Sequence, residues 1–249
     1  MRKPVMAGNW KMYKTAAETS AAIAKLAPMV AAASLVDVVI CAPFVNLAAA
    51  VEAAVSSNIE IGAQDVFWLK EGAYTGEISA PMLAAIGCRW VIVGHSERRQ
   101  YFGETEETVA KKTVAALEAG LKPIVCVGER LEQRESGATE AVLEAQFTGG
   151  LGGLTPDQFA GIAIAYEPVW AIGTGKTATP EMAADAHCFL REQIRLRFGA
   201  EAAEACRILY GGSVKPDNVK ALMAQAELDG ALVGGASLDP ASFASIVNF

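Results

Sequence analysis

Short apolar runs alternate with longer stretches of helical periodicity along the whole chain. The apolar runs are rich in β-branched residues and contain few polar positions, which is typical of parallel strands covered on both faces. Eight such strands are predicted, over residues 5–9, 38–42, 59–63, 91–94, 124–127, 162–166, 208–210 and 231–233. Between them, the spacing of apolar residues predicts helices over residues 16–32, 47–55, 82–86, 106–119, 140–147, 181–198, 218–226 and 242–247.

Boundary signals support these helices. Thr179-Pro180 and Asp239-Pro240 combine a capping side chain with a proline that suits the first helical turn. Gly120 and Gly199 stand where helices commonly end. Ser96-Glu97 indicates one further helix start, directly after the fourth strand.

The order of elements predicts an α/β fold with a parallel sheet. Eight strand–helix units in 249 residues match the size of a (β/α)8 barrel, the TIM barrel, as a single domain over residues 1–249. No linker or low-complexity segment divides the chain. The alternative is an open doubly wound sheet, which more often carries a glycine-rich turn after its first strand. Here that strand runs into Asn9-Trp10-Lys11.

Charge and cysteine usage exclude several classes of protein. The formal net charge is -7, which argues against a nucleic-acid or anionic-membrane partner. Five cysteines occur without a Cys-x-x-Cys pair, so neither a disulfide framework nor a zinc site is indicated. No apolar stretch is long and uncharged enough to span a membrane. These features favour a cytoplasmic location.

Polar residues follow the ends of the strands. Strand one ends in Asn9 and Lys11, strand four is followed by His95 and Glu97, and strand six is followed by Glu167. In a barrel these side chains converge on the carboxyl rim, where active sites lie. Taken alone, Lys11 also fits a solvated loop cation, His95 a core histidine and Glu97 a helix cap. Glu167, between an apolar strand and a proline, favours a functional role.

The sequence of the loop after the sixth strand partly resembles two nucleotide-binding motifs. Gly173-Thr174-Gly175-Lys176-Thr177 resembles the end of a Walker A loop, but Trp170 stands where that motif needs glycine. The same stretch fits a loose dinucleotide pattern away from any strand end, which is a weak match. Stiff residues, Pro168 and Trp170, combined with the permissive Gly173 and Gly175 favour a hinged lid over residues 168–176, although an ordinary long loop remains an alternative.

Five motifs together resemble those of the triosephosphate isomerase family, in order and from end to end of the chain. They are Gly8-Asn9-Trp10-Lys11-Met12, Val93-Gly94-His95-Ser96-Glu97-Arg98-Arg99, the run from Ala165 to Lys176, Tyr210-Gly211-Gly212-Ser213 and Val233-Gly234-Gly235-Ala236-Ser237. The resemblance implies reversible interconversion of dihydroxyacetone phosphate and D-glyceraldehyde 3-phosphate through an enediol(ate), in glycolysis and gluconeogenesis.

The resemblance also implies a role for each rim residue. Glu167 is the base that moves a proton between two carbons, and His95 donates hydrogen bonds to the substrate oxygens. Lys11 and Asn9 stabilise the enediolate, and Glu97 lies near Lys11. Closure of the site is expected to raise the pKa of the Glu167 carboxyl, and the helix start after His95 is expected to keep the imidazole neutral.

Substrate binding is implied without a metal or a cofactor. The phosphate is expected at Gly173, Ser213, Gly234 and Gly235, mostly through backbone N–H groups. Backbone binding of this kind is compatible with the negative net charge, because it requires no cluster of basic side chains. Tyr210 is expected to hold the lid closed.

The resemblance further implies a homodimer. The loop after strand three is expected to reach the partner, with Thr75 near the partner's Asn9 and Lys11, and Glu77 paired with the partner's Arg98. The chain departs from the family's usual residues at Tyr13-Lys14, Asp65 and Tyr74. Two other functions remain open: a different phosphate-binding barrel enzyme, such as a phosphoribosyl isomerase or synthase, and a non-catalytic scaffold.

Overall fold

The computed structural model describes residues 2–172 and 177–249, and its central feature is a closed sheet. Eight parallel strands pair in chain order, and the first also pairs with the last. The strands are β1 Val5–Asn9, β2 Asp37–Cys41, β3 Ile59–Ala63, β4 Trp90–Val93, β5 Lys122–Val127, β6 Ala163–Tyr166, β7 Arg207–Tyr210 and β8 Gly230–Val233. The predicted (β/α)8 barrel is confirmed, and the open doubly wound sheet was the wrong alternative.

Helices follow the strands and cover the outside of the barrel. Over the described residues they are α1 Ala16–Val30, α2 Leu47–Ala54, α3 Ala80–Ala85, α4 Ser96–Tyr101, α5 Glu106–Glu118, α6 Leu131–Glu135, α7 Thr139–Leu151, α8 Pro156–Phe159, α9 Pro180–Phe198, α10 Ala200–Ala205, α11 Val219–Met223 and α12 Pro240–Val247. The eight helices predicted from periodicity are present with shifted ends, and α4 starts at the predicted serine. The sequence analysis missed α6, α8 and α10, which are four to six residues long.

The predicted boundary signals act as capping groups. The Thr179 side chain accepts a hydrogen bond from the Met182 N–H at 3.2 Å, which caps the start of α9. Asp239 accepts from the Ser242 N–H at 2.8 Å at the start of α12. Gly199 ends α9 with φ +92°, a conformation that only glycine adopts without strain.

Strand side chains alternate between two buried cores. In β1, Val5 and Ala7 point into the barrel, whereas Met6 packs outward among the helices. The inner core is a separate, fully packed cluster: Val5, Ala7, Val39, Cys41, Trp90, Ile92, Ile124, Cys126, Ala163, Ala165, Leu209 and Leu232. This double burial explains why the strands read as continuous apolar runs. A packed interior fixes the strand ends, and the residues that follow them therefore start from a rigid frame.

The cysteines do not cross-link the barrel. All five are free thiols, of which Cys188 on α9 is exposed and the other four are buried. Among the helices that the structure describes, none combines the length and the apolar character needed to cross a bilayer.

Candidate active site

The side chains of His95 and Glu167 meet at the carboxyl rim of the barrel. His95 follows β4 and Glu167 follows β6, and the His95 Nε2 atom lies 3.0 Å from Oε1 of Glu167. The second carboxylate oxygen accepts the N–H of Ser96 at 2.9 Å. Both side chains are buried. The structure therefore brings together an acid–base pair whose members are far apart in sequence.

Contacts between β5 and β6 hold the backbone of Glu167. Its N–H donates to the Val127 carbonyl at 2.8 Å, and a β-carbon at Gly128 would stand 1.7 Å from the Glu167 carbonyl oxygen. The amide of Gln146 grips Gly128 on both sides, accepting from its N–H at 2.7 Å and donating to its carbonyl at 3.1 Å. The backbone of Glu167, the candidate base, is thus held by a close contact with Gly128 that only glycine permits.

Burial and hydrogen bonding act in opposite directions on Glu167. Burial raises the pKa of its carboxyl, but His95, the Ser96 N–H and Lys11 favour the carboxylate, so the pKa is lowered overall. This direction differs from the raised pKa expected of a closed site. The reason is that two donors bond the carboxylate directly in this arrangement.

His95 is also the N-cap of α4. Its Nδ1 atom accepts the N–H of Glu97 at 3.2 Å, so the ring proton in this geometry lies on Nε2, facing Glu167. Burial lowers the pKa of His95, whereas the Glu167 carboxylate raises it, and the net direction is upward. This direction opposes the effect expected from the helix start, because the carboxylate lies 3.0 Å from the ring. The single Nε2–H is therefore the hydrogen-bond donor that this ring offers to the site.

Lys11 adopts a left-handed backbone conformation with φ +48°. Its N–H donates to Asn9 Oδ1 at 3.0 Å, and its carbonyl accepts from Gln64 Nε2 at 2.9 Å. The same Gln64 amide also donates to the Cys41 carbonyl at 2.9 Å. A non-glycine residue in this region is strained and persists only when its surroundings hold it. Gln64 provides that support, and its only sequence signal was its position at the end of β3.

The Lys11 ammonium is held by Glu97. Its Nζ atom lies 2.5 Å from Glu97 Oε1, as expected from the predicted proximity of these two residues. Glu97 Oε2 is 3.7 Å from His95 Nδ1, too far for a hydrogen bond. Glu97 therefore directs the lysine and leaves the imidazole free to use its backbone partner.

A cavity of about 350 Å³ opens beside these groups. Seven of the nine predicted site residues border it: Asn9, Lys11, His95, Glu167, Ser213, Gly234 and Gly235. A β-carbon at Gly212 would lie 2.2 Å from the Tyr210 hydroxyl, so this turn requires glycine. Gly173 lies outside the described residues. Among the residues that are described, no group of three or more His, Cys, Asp or Glu side chains is arranged to hold a metal ion.

Comparison with known proteins identifies the family. The sequence model described as Triosephosphate isomerase matches residues 4–249. The chain belongs to the triosephosphate isomerase family. It is 68% identical to the triosephosphate isomerase of Solibacter usitatus over the full length of both chains, and 59% identical to that of Citrifermentans bemidjiense, covering 100% of this chain and 99% of that protein.

Solved structures agree with this assignment. The crystal structure of triosephosphate isomerase from Bartonella henselae matches with a TM-score of 0.89 at 40% identity, covering 99% of this chain and 98% of that one. The chain is therefore an isomerase with the triosephosphate isomerase barrel, and a triose phosphate is its class of substrate.

In this member of the triosephosphate isomerase family, the start of the loop after β6 rests on a buried carboxylate. Glu129 Oε1 accepts from the Tyr166 hydroxyl at 3.1 Å and from Trp170 Nε1 at 2.9 Å, and it pairs with Arg134 at 3.2 Å. Residues 169–171 form a single 3₁₀ turn. Residues 173–176, to which the predicted lid extends, lie outside the described residues, so the lid remains a prediction.

The expected interface residues lie on an exposed loop and at its base. Thr75 and Glu77 are exposed beyond β3. Arg98 is already used within its own chain, where it pairs with Asp65 at 2.8 Å and Glu104 at 3.0 Å. Asp65, one of the positions at which the chain departs from the family's usual residues, therefore has a charge partner. The predicted contacts across a dimer remain predictions.

Proposed function

We propose that the chain interconverts dihydroxyacetone phosphate and D-glyceraldehyde 3-phosphate by proton transfer, with Glu167 as the base. The observation that carries this proposal is the 3.0 Å contact between Glu167 and His95 beside a cavity that Lys11 also borders. A carboxylate, a neutral N–H donor and an ammonium around one small cavity suit removal of a proton next to a carbonyl. That step places negative charge on oxygen, which preorganised donors stabilise.

Substrate entry changes the electrostatics of the acid–base pair. A sugar phosphate between Glu167 and His95 replaces their mutual hydrogen bond, which removes the main opposition to burial for both groups. Burial then raises the pKa of Glu167 and lowers that of His95. Both changes suit the reaction, because Glu167 becomes a stronger base and His95 stays neutral while it donates through Nε2.

Lys11, Asn9 and Glu97 complete the proposed machinery. The Lys11 ammonium faces the developing enediolate, and Glu97 holds that ammonium at 2.5 Å. Asn9 is 5% exposed and braces the Lys11 backbone through its side-chain oxygen. Because a shuttled proton accounts for the whole isomerisation, the proposal requires neither a metal nor a cofactor.

Phosphate binding is assigned to backbone N–H groups at Ser213, Gly234 and Gly235, with Gly173 completing the set. A β-carbon at Gly235 would have no neighbour within 4 Å, so its backbone borders open space. Glycine at such positions lets a phosphate approach main-chain donors closely.

A coupled assay with Glu167→Asp tests the base. Shortening the side chain by one methylene moves the carboxylate out of its position, so kcat should fall by about 100-fold or more with little change in KM. Glu118→Asp, an exposed carboxylate on α5, is the matched control. Unchanged kcat in Glu167→Asp would refute the assignment. Turnover of a phosphoribosyl substrate alone would support a different barrel enzyme, and absence of all turnover would support a scaffold.

The proposed assembly is a homodimer. The segments that follow the neighbouring strands β1 to β4 expose large apolar side chains, which a monomer would leave in water. They are Met12, Tyr13, Val45, Tyr74, Tyr101 and Phe102. The loop with Thr75 and Glu77 is closed at its base by a hydrogen bond from the Phe67 N–H to the Ile78 carbonyl at 2.8 Å. It therefore projects as a formed element suited to dock on a second copy.

Sedimentation of Thr75→Arg tests this assembly. A bulky charge at the loop tip should convert a dimer into monomers. It should also lower kcat, because the partner's Lys11 loses its contact with Thr75. Leu196→Arg, at an exposed apolar position on α9, is the control and should stay dimeric. A wild-type protein that sediments as a monomer at micromolar concentration would contradict the proposal.

The proposed location is the cytoplasm, which suits five free thiols.

A further inference from the structure

The peptide bond that joins Gly94 to His95 accepts a hydrogen bond from a side chain of the following helix. Arg99 on α4 donates through Nε to the Gly94 carbonyl at 2.7 Å. Its Nη2 atom donates to the Cys126 carbonyl at 3.2 Å, and its Nη1 atom pairs with Glu106. The Arg99 guanidinium thus connects the segment that contains His95 to strand β5, which pairs with β6, the strand that Glu167 follows.

Gly94 has no side chain to restrain its own backbone, so contacts from other residues must fix its peptide bonds. Its φ is +74°, and a β-carbon there would lie 3.0 Å from Val109 Cγ2 and 3.1 Å from the Cys126 carbonyl oxygen. Glycine is therefore required, yet glycine also restrains the chain least. The Gly94 N–H is fixed separately, by a 3.0 Å hydrogen bond to the buried Glu104 carboxylate. Side chains hold the peptide units on both sides of Gly94.

We infer that Arg99 is a positioning residue for the isomerisation, which sets the placement of the His95 imidazole by fixing the Gly94–His95 peptide plane. The Gly94 carbonyl lies in this plane, and the orientation of the plane, together with the φ angle of His95, determines where the Cα–Cβ bond of His95 points. The imidazole Nε2 atom lies at the far end of that side chain, so a small rotation of the plane is amplified there. A displacement of about 1 Å in a reacting group can cost on the order of 100-fold in rate.

A purely structural role for Arg99 predicts something different. In that case its ion pair with Glu106 on α5 would be the important contact, and its loss would lower stability without changing the kcat of folded enzyme. The two contacts are separable, because Glu106→Gln removes the ion pair while Arg99 keeps both carbonyl partners. The side chain of Glu106 is 35% exposed, so water solvates it when Arg99 is replaced.

Steady-state kinetics of Arg99→Met, Arg99→Lys and Glu106→Gln test the inference. Arg99→Met should lower kcat by about 10- to 100-fold with KM within about threefold of wild type. Arg99→Lys retains the charge but lacks the planar fork that reaches both carbonyls, so it should lose a similar factor. Glu106→Gln should stay within about twofold of wild type in kcat. Added guanidinium ion should restore part of the kcat of Arg99→Met, which a general loss of stability would not allow.

A remote control and a reference variant complete the design. Arg197 donates to the Gly152 carbonyl at 2.9 Å on the far side of the barrel, so Arg197→Met removes a similar contact away from the site and should leave kcat unchanged. The inference is overturned if folded Arg99→Met keeps wild-type kcat, or if Glu106→Gln loses as much as Arg99→Met. If Arg99→Met does not fold, Arg99→Lys decides the matter by the same criteria.

The inference rests on the proposed role of His95, and His95→Gln separates the two. A large loss of kcat in His95→Gln together with normal kcat in Arg99→Met overturns the positioning role alone. Normal kcat in His95→Gln overturns the proposed role of the imidazole itself.

Discussion

Gly211 lies directly against the side chain of Glu167. A β-carbon at Gly211 would stand 2.8 Å from Glu167 Cγ and 3.1 Å from the Tyr166 carbonyl oxygen. The Gly211 N–H also donates to that carbonyl at 2.7 Å, which fixes its backbone. The absence of a side chain at the end of β7 is therefore part of what positions the carboxylate at the end of β6.

Gly211→Ala is expected to displace Glu167. Because the Tyr166 backbone cannot yield, the new methyl group pushes the glutamate side chain, and kcat should fall by about 10- to 100-fold in assays of a protein that remains folded. Gly153→Ala adds the same methyl group where no atom lies within 4 Å, so it serves as the control. Wild-type kcat in Gly211→Ala would show that Glu167 tolerates the contact.

Gln64→Leu is expected to weaken the site through Lys11. The leucine cannot donate to the Lys11 and Cys41 carbonyls, so the strained backbone of Lys11 loses its support. We expect kcat/KM to fall by about 10-fold, with a stability loss of about 1–3 kcal/mol from the two unpaired carbonyls. Gln64→Glu matches the shape but cannot donate, so it should behave similarly. Gln193→Leu on α9 is the control, and equal activity in all variants would contradict the role.

The fold was predictable because each strand is buried on both faces. The apolar run of β1 had no competing interpretation, and the capping threonine before α9 marked that helix at its first turn. Helices such as α8, with four residues, were missed because they contain less than two turns. Their position follows from tertiary contacts, not from a local periodic pattern.

The site was predictable only in part, for a related reason. Residues at strand ends, such as His95 and Glu167, could be placed on one rim once the barrel was assumed. The direction of the Glu167 pKa shift could not, because it depends on which donors the carboxylate reaches. The support by Gln64 of the Lys11 backbone likewise depends on a loop conformation, φ +48°, that no sequence pattern specifies.

Glu129→Leu is expected to destabilise the protein. The Glu129 carboxylate is fully buried and pairs with Arg134, while the Tyr166 hydroxyl donates to it. Its loss leaves the buried Tyr166 hydroxyl without an acceptor, so the free energy of unfolding should fall by about 1–3 kcal/mol, while the partly exposed Arg134 becomes solvated. Denaturant unfolding measures the change, with the exposed Glu132→Leu on α6 as the control. Equal stability of the two variants would contradict this account.

His187 on α9 is expected to make stability depend on pH. The ring is fully buried, with its Nδ1–H donating to the Glu227 carbonyl at 3.2 Å, and among the described residues its Nε2 atom has no hydrogen-bond partner. Burial lowers the pKa of His187 from 6.5 to about 3. Between about pH 6.5 and pH 3, His187 is protonated in the unfolded chain but neutral in the folded protein. The free energy of unfolding therefore falls as the pH decreases through this range.

The size of this effect is measured by comparing unfolding at pH 7 and pH 5. The proton taken up by the unfolded chain should cost about 2 kcal/mol between these values, since one pKa unit corresponds to about 1.4 kcal/mol. His187→Asn keeps a donor for the Glu227 carbonyl but has no group that titrates in this range. The loss of stability between pH 7 and pH 5 should therefore be about 2 kcal/mol smaller in His187→Asn than in the wild type. If the two proteins lose the same stability over this interval, the buried imidazole is not the group responsible, and the carboxylates account for the acid sensitivity instead.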